Sequence, residues 1–233
     1  MYRNKRIVAI IPARQGSKRL KEKNLLLLGK RPLIAWSIEQ AKRSRYLDRI
    51  IVSTDSQEIA EISKAYGAEI PFLRPSFLST DRAKTEDVLL HAINWLEERQ
   101  QSYEVTVLLQ PTSPLRTSED IDSSIELLFS KRAKAIVSVC QTEYPSFWCN
   151  RLSKNKGMKN FMRKEREDNR LSKFYRLNGA IYVVFSDYFK RYKRFFGNRT
   201  FAYIMSQENS IDIDTELDLK FAEFLLESRS SHR

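Results

Sequence analysis

The sequence is poor in the residues that build thiol and transition-metal chemistry. It has two cysteines, Cys140 and Cys149, and two histidines, His91 and His232. They form neither a CxxC motif nor a Cys/His ligand spacing, so nothing supports a zinc site. So few cysteines match a reduced compartment, and residence in the cytoplasm is the expectation. Long apolar runs are also missing. The run from Ile7 to Pro12 is too short for the apolar core of a signal peptide, and no stretch approaches a membrane-spanning helix, so no membrane partner is expected. Neither a Walker motif nor a GxGxxG fingerprint occurs. Internal repeats and low-complexity tracts are absent as well.

Positive charge is what the chain has in excess, +12 over 233 residues. That excess is compatible with nucleic acid, an anionic membrane surface, small polyanionic substrates, or a merely solvated basic surface. Only clustering separates these. A hydrophobic fraction of 42% suffices for one core, and the length favours a single domain over 1–233 with a small insertion.

Hydrophobic patterning predicts buried strands over 7–11, 50–53, 105–109, 135–139 and 180–185. Helices are expected between them over 32–43, from Asp55 to Tyr66, over 85–99, from Thr117 to Phe129, and from Thr215 to about Glu227. Asp55 is expected to cap its helix with Glu58 at the third position, and Thr117 with Asp120 reads as a capping box. This alternation argues for an α/β fold, a three-layer Rossmann-like arrangement with a mostly parallel sheet. The pattern weakens over about 144–176, a basic stretch that reads as a lid, a small subdomain or a dimerisation arm.

In such a sheet, ligands sit beyond the carboxyl ends of the strands. The first of these ends carries Arg14, Lys18, Arg19, Lys21 and Lys23 around Gly16 and Ser17. Gly16 lets backbone N–H groups turn inward toward an anion, and the cations can grip phosphate; the same loop can equally be a basic surface turn. Far along the chain, Asp212 and Asp214 flank Ile213. In an extended segment that spacing puts both carboxylates on one face, a natural Mg²⁺ site. The competing reading is that Asp214 helps Thr215 cap the last helix.

These residues sit in longer blocks. Ile11-Pro12-Ala13-Arg14-Gln15-Gly16-Ser17-Lys18 with Lys23-Asn24 resembles the signature loop of the acylneuraminate cytidylyltransferases. Ile51-Val52-Ser53-Thr54-Asp55, Leu73-Arg74-Pro75, Leu109-Gln110-Pro111-Thr112-Ser113-Pro114-Leu115-Arg116, Asn178-Gly179-Ala180-Ile181-Tyr182 and the segment from Ser210 to Asp218 resemble further family blocks, in order. The resemblance implies transfer of CMP from CTP to the anomeric hydroxyl of an acidic nine-carbon sugar, with pyrophosphate leaving. It implies nucleotide binding by Arg14, Ser17, Lys18, Lys23, Asn24, Arg74 and Thr85, with Arg14, Lys18, Asp212 and Asp214 at the chemistry and Mg²⁺ on the two aspartates. Gln110, Asn178 and Tyr182 fall at the sugar side, although the Gln110 loop also reads as a structural turn and Tyr182 as core. Phe195 and Phe196 align with an aromatic pair that a homodimer partner lends to the sugar pocket, or form an ordinary hydrophobic patch.

The departures from the family pattern cluster at the sugar side. Arg19 stands where sialic acid enzymes often have Gly, and Lys21 where Pro is frequent. Phe147 and Trp148 occupy a stretch that often supplies a lysine to the sugar carboxylate. An Arg-Gln pair common in relatives is replaced around Glu167 to Leu171, where Arg166 or Arg170 can supply the charge. These leave the sugar open between sialic, legionaminic and pseudaminic acids. The rival from another class is a nucleic-acid-binding protein, suggested by +12 and ten tyrosines; the carboxylate pair argues against it, and no nucleic-acid partner is expected.

Overall fold

A computed structural model of the chain describes residues 1–17, 19–142, 149–150, 152, 154, 156, 158 and 173–230. In chain order its elements are β1 (Ile7–Pro12), β2 (Leu27–Leu28), β3 (Arg31–Pro32), α1 (Leu33–Arg43), β4 (Arg49–Ser53), α2 (Gln57–Ala65), α3 (Thr85–Glu97), β5 (Val105–Leu109), α4 (Ser118–Ser130), β6 (Ala135–Thr142), β7 (Phe174–Phe185), α5 (Ser186–Tyr192), β8 (Thr200–Met205) and α6 (Glu216–Ser230).

Six strands form one sheet in the order β4-β1-β5-β7-β6-β8. β1 runs parallel to β4 and β5, and β6 parallel to β8, while β7 runs antiparallel to both β5 and β6. The strand residues alternate between two helical layers, as the period of two requires. Ile7 and Ile11 of β1 pack with Ile34 and Ile38 of α1 and with Ile121 and Ile125 of α4. Val8 and Ile10 face the other way, onto Leu89, Ile93 and Leu96 of α3, with Phe189 of α5 in the same cluster. A third cluster seats Ala222 of α6 against Leu28, Leu115 and Ile213. The three-layer α/β architecture with a mostly parallel sheet is therefore the one expected from patterning.

Local capping chemistry sets several helix starts. The Thr117 hydroxyl accepts from the Asp120 N–H and the Asp120 carboxylate accepts from the Thr117 N–H, the reciprocal box that opens α4. At α2 the expectation needs correction. Ser56 rather than Asp55 is the cap, its hydroxyl accepting from the Ile59 N–H at 3.3 Å. The helix starts one residue later than expected, which leaves the Asp55 carboxylate free to serve the loop after β1.

Patterning also marks no element over 186–214, where the fold has α5 and β8. α5 has only seven residues, too few for a helical period to stand out. β8 is an edge strand whose residues are largely exposed, so it has no continuous apolar run. β7 is longer than its apolar half, because residues 174–177 pair with β6 alone. The insertion expected over 144–176 lies mostly outside the described residues. Its last three positions belong to β7, with Phe174 opposite Thr142. Arg166, Arg170, Phe147 and Trp148 lie outside the described residues.

Opposite Ser138 of β6 the register slips. Val137 faces Tyr182 but Val139 faces Leu177, so Ser138 alone stands against residues 178–181 and β7 bulges there. Bulges of this kind re-aim side chains at sheet rims. This one lies beside the end of β5.

Candidate active site

The carboxyl ends of β1, β4 and β5 open on a cleft of about 280 Å³, the position at which open α/β sheets take ligands. Arg14, Ser17, Lys23, Asn24, Arg74, Thr85 and Gln110 all line it. Lys18 lies outside the described residues.

The loop after β1 is held as a defined structure. Ala13 N donates to Ser53 O at 2.9 Å, the Asn24 amide donates to Arg14 O at 2.9 Å, and Gln15 N donates to Asp55 Oδ1 at 3.0 Å. Gly16 has open space around its α-carbon. Arg14 pairs with Asp81 at 2.7 Å. Arg74 is buried beneath the loop, its guanidinium donating to Ser53 Oγ at 3.1 Å and to Ser53 O. Burial pushes it down to about 10, with Asp55 opposing and Arg14 adding to the shift, so it remains a cation at neutral pH. Thr85 opens α3, so a helix N-terminus with its partial positive charge borders the cleft.

The acidic side approaches from the far end of the chain. Residues 210–214 form an unpaired extended segment anchored by Ile213, which is fully buried and donates its N–H to Thr112 O at 2.8 Å. Asp212 and Asp214 consequently project from the other face. Lys23 joins the two halves, donating to Ile213 O at 2.9 Å and to Asp214 Oδ1 at 2.8 Å. Arg19 takes the other oxygen of Asp214. Asp214 takes no part in capping α6 with its side chain. That role falls to Thr215 and Asp218, whose carboxylate accepts from the Thr215 N–H at 2.7 Å and the Asp214 N–H at 3.0 Å. The Asp212 carboxyl, at the solvent edge, is pushed up by partial loss of hydration; Asp214 adds to the shift, and the Thr112 hydroxyl, Lys23 and Arg176 oppose it.

Two carboxylates repelling each other on one face are a donor set that suits a small hard dication, since magnesium commonly takes one or two carboxylates and completes its shell with water and phosphate oxygens. Among the described residues, no group of three or more His, Cys, Asp or Glu could hold a metal ion.

The residues expected at the sugar side separate. Gln110 lines the cleft, where its amide oxygen lies 3.2 Å from the position a Gly179 side chain would take. Tyr182 is half-buried, its ring centroid 4.7 Å from that of Phe195; burial pushes its phenol up, with Glu86 and Asp212 adding to the shift. Asn178 is buried and its amide is fully committed. Its oxygen accepts from Ser138 Oγ at 2.6 Å and Ala180 N at 3.2 Å, and its nitrogen donates to Ser210 Oγ at 2.8 Å and Met205 Sδ at 3.2 Å. No donor or acceptor remains for a sugar; the side chain fills hydrogen bonds that the bulge takes from the ladder. Phe195 is buried at 3% exposure against Tyr182 and Phe189, whereas Phe196 is 52% exposed, so the pair does not act as a unit within this chain.

Three contributors went unassigned in the sequence: Asp55, Asp81 and Arg116. Arg116 sits in a motif already singled out, yet it binds only oxygens that α1, the bulge and the loop after β5 bring to it. Charge also accumulates away from the cleft. Lys134, Arg191, Arg194 and Arg199 line a separate groove of about 770 Å³, beside the start of β6 and the end of β7.

Comparison with known proteins shows the family. The family model described as cytidylyltransferase matches residues 8–230. The chain is similar to an N-acylneuraminate cytidylyltransferase of Escherichia coli O18:K1:H7, 38% identical over 219 residues that make up 93% of this chain and 51% of that protein. It thus spans about half of that relative's length. It is equally similar to a CMP-N,N'-diacetyllegionaminic acid synthase of Legionella pneumophila, 38% identical over 229 residues, 95% of this chain and 97% of that one. Among solved structures, a CMP:2-keto-3-deoxy-manno-octonic acid synthetase complexed with CTP superposes with a TM-score of 0.74 at 16% identity, covering 96% of this chain and 99% of the other. At that identity the likeness speaks to the fold alone. With its family match running from the first strand into the last helix, the chain belongs to the cytidylyltransferase family.

Proposed function

We propose that this chain transfers CMP from CTP to the anomeric hydroxyl of an acidic nine-carbon sugar. The new bond joins the anomeric oxygen to the α-phosphorus, the bond from that phosphorus to the β-phosphate bridging oxygen breaks, and pyrophosphate leaves. The observation that carries this reading is the link from Lys23 to Asp214. It ties the cationic loop that lines the cleft to the segment carrying the two aspartates, an arrangement that suits transfer between a polyanion and a hydroxyl.

Arg14, Lys18 and Lys23 would neutralise the triphosphate, while Asn24 and Asp55 hold their loop in place. Gln110 and Tyr182 flank the space left for the sugar. Asp212, whose carboxyl is raised above the ordinary range, is placed to accept the proton of the attacking hydroxyl. Asp212 and Asp214 would hold a magnesium ion, which would supply further neutralisation of phosphate charge.

The sugar is a sialic acid or a related nonulosonic acid. Legionaminic acid stands on an equal footing, since the Legionella relative matches over its whole length. Working from CTP, the enzyme would act in the cytoplasm and feed surface-glycan synthesis. No helix among the described residues is long and apolar enough to cross a membrane. Leu177 and Ile204, exposed on β7 and β8, support a homodimer, which light scattering would test.

The direct test incubates the protein with Mg²⁺, each of four nucleoside triphosphates and a panel of nonulosonic acids, and measures pyrophosphate. Release with CTP and one acid sugar is expected. No release with any pair, together with salt-sensitive retention on nucleic acid, would replace this reading with the rival one.

A further inference from the structure

Arg116 is 1% exposed and is bonded directly to no carboxylate among the described residues, with Asp120 acting on it only at longer range. Its Nε finds no hydrogen-bond partner among the described residues, and burial pushes the guanidinium down to about 9, with Asp120 opposing the shift. A buried cation without a directly bound anion is costly, so the oxygens it does bind indicate what it is kept for. They come from three elements. One arm donates to Ala180 O, the other to Ser37 Oγ and to Gln110 O at 3.1 Å.

Ala180 lies in the β7 bulge. Its N–H is taken by the Asn178 side chain at 3.2 Å, and the neighbouring Ile181 N–H by Ser138 Oγ at 2.8 Å. With its N–H and C=O both bound to side chains, Ala180 can leave the regular ladder and swing Gly179 toward β5. Gly179 has φ +73°, and a β-carbon there would lie 3.2 Å from Gln110 Oε1. The loop beyond Gln110 is stitched to the same bulge, because Ser113 Oγ donates to Asn178 O at 3.4 Å and Ser113 N to Gln110 O at 3.2 Å. Gln110 is thus held by its carbonyl from below and bounded at its amide from the side.

We infer that Arg116 and Gly179 are positioning residues for Gln110: the buried guanidinium fixes its backbone, the side-chain-free bulge position sets where its amide sits, and both act on the acid sugar through that amide. This rests on the proposed reading of the cleft. Neither residue touches substrate. The left-handed backbone at Gly179 already strains most side chains, and a β-carbon there would in addition push Gln110 Oε1 aside by a few tenths of an ångström.

The test is a double-mutant cycle read in two ways. Gly179→Ala should raise the KM for the acid sugar about tenfold while the KM for CTP stays within about twofold, because displacing a substrate-facing group by a fraction of an ångström affects only the ligand it meets. In a Gln110→Ala background, Gly179→Ala should add less than about twofold. Equal costs in both backgrounds, or a matching rise in the KM for CTP, would overturn the inference. The second readout needs no turnover. The side-chain amide signal of Gln110 in a ¹⁵N spectrum, identified by its loss in Gln110→Ala, should shift in Gly179→Ala and in Arg116→Lys, and an unmoved signal in both also overturns the inference. Arg116→Lys keeps the charge without the fork and should show a smaller sugar-KM change than Arg116→Met. If the wild-type protein releases no pyrophosphate with any acid sugar, the catalytic reading fails by itself, and the amide signal still decides whether Gln110 is held as inferred.

Discussion

Truncating Asn178 to alanine separates framework from substrate contact. The amide makes two hydrogen bonds through oxygen and two through nitrogen, all inside the protein. Ordinary buried hydrogen bonds contribute about 1 kcal/mol net each, and the one to sulfur less. Two partners can recover. Ser138 Oγ still accepts from Ile181 N and Ser210 Oγ still donates to Ser206 O. Ala180 N cannot, and an orphaned buried N–H costs about 1–3 kcal/mol. The expected loss is about 3–5 kcal/mol, a large share of the roughly 5–15 kcal/mol that stabilises a domain. Urea unfolding of Asn178→Ala, followed by its midpoint at constant slope, measures this. Asn178→Asp should be worse at neutral pH, since it buries a charge and removes both N–H donors. A loss below about 1 kcal/mol combined with a raised KM for the sugar would refute the reasoning and return Asn178 to the sugar side.

Further substitutions probe the other placements. Ser56→Ala should cost about 1 kcal/mol of stability as a lost cap, whereas Asp55→Ala should spare stability and weaken CTP binding measured by calorimetry, because Gln15 N loses its acceptor. Phe195→Ala should destabilise by about 3–5 kcal/mol as a core truncation, and Phe196→Ala by less than about 0.5 kcal/mol in the monomer, both read by denaturant melts. Asp214→Asn should remove most of the Mg²⁺-dependent rate while leaving the unfolding midpoint nearly unchanged; near-normal turnover would contradict its place at the chemistry. Lys23→Met should lower kcat/KM for CTP at least tenfold, since both the phosphate side and the Asp214 segment lose their shared cation, and unchanged kinetics would return the loop to a basic surface turn.

The legible parts of this fold are those whose cause is local. The runs around Ile10, Ile51 and Val107 read as buried strands because helices cover both faces of the sheet. Thr117 with Asp120 and Thr215 with Asp218 announce their helices because a cap depends on residues three apart. Asp212 and Asp214 could be paired on one face because the intervening Ile213 had to be buried. Missing from such a reading is everything that depends on distant chain. Arg19 meets a carboxylate 195 residues away. Whether Asp55 or Ser56 caps α2 turns on which of them the loop after β1 recruits. Asn178 looks like a free polar residue at a strand start until the register slip supplies it with four internal partners. Arg116 has no visible purpose until Gln110 and Ala180 are brought to it. β8 was hidden because an edge strand lacks the second buried face that makes its neighbours conspicuous.

The reversed direction of β7 has a consequence for how such a protein can diversify. Because β7 alone runs against the sheet, the chain leaves β6 at Thr142 and re-enters at Phe174 directly opposite it, on the rim where β1 and β5 deliver their loops. Whatever length of chain joins those two residues begins and ends on that rim, and doubling a loop costs only about 0.6 kcal/mol in closure entropy. The stretch between them can be lengthened, shortened or exchanged without disturbing the register of β1, β4 and β5 or the loop they hold. Under the proposed reading, exchanging residues 143–173 between relatives is expected to alter the use of acidic sugars while CTP use stays unchanged, which pyrophosphate release with a sugar panel would measure.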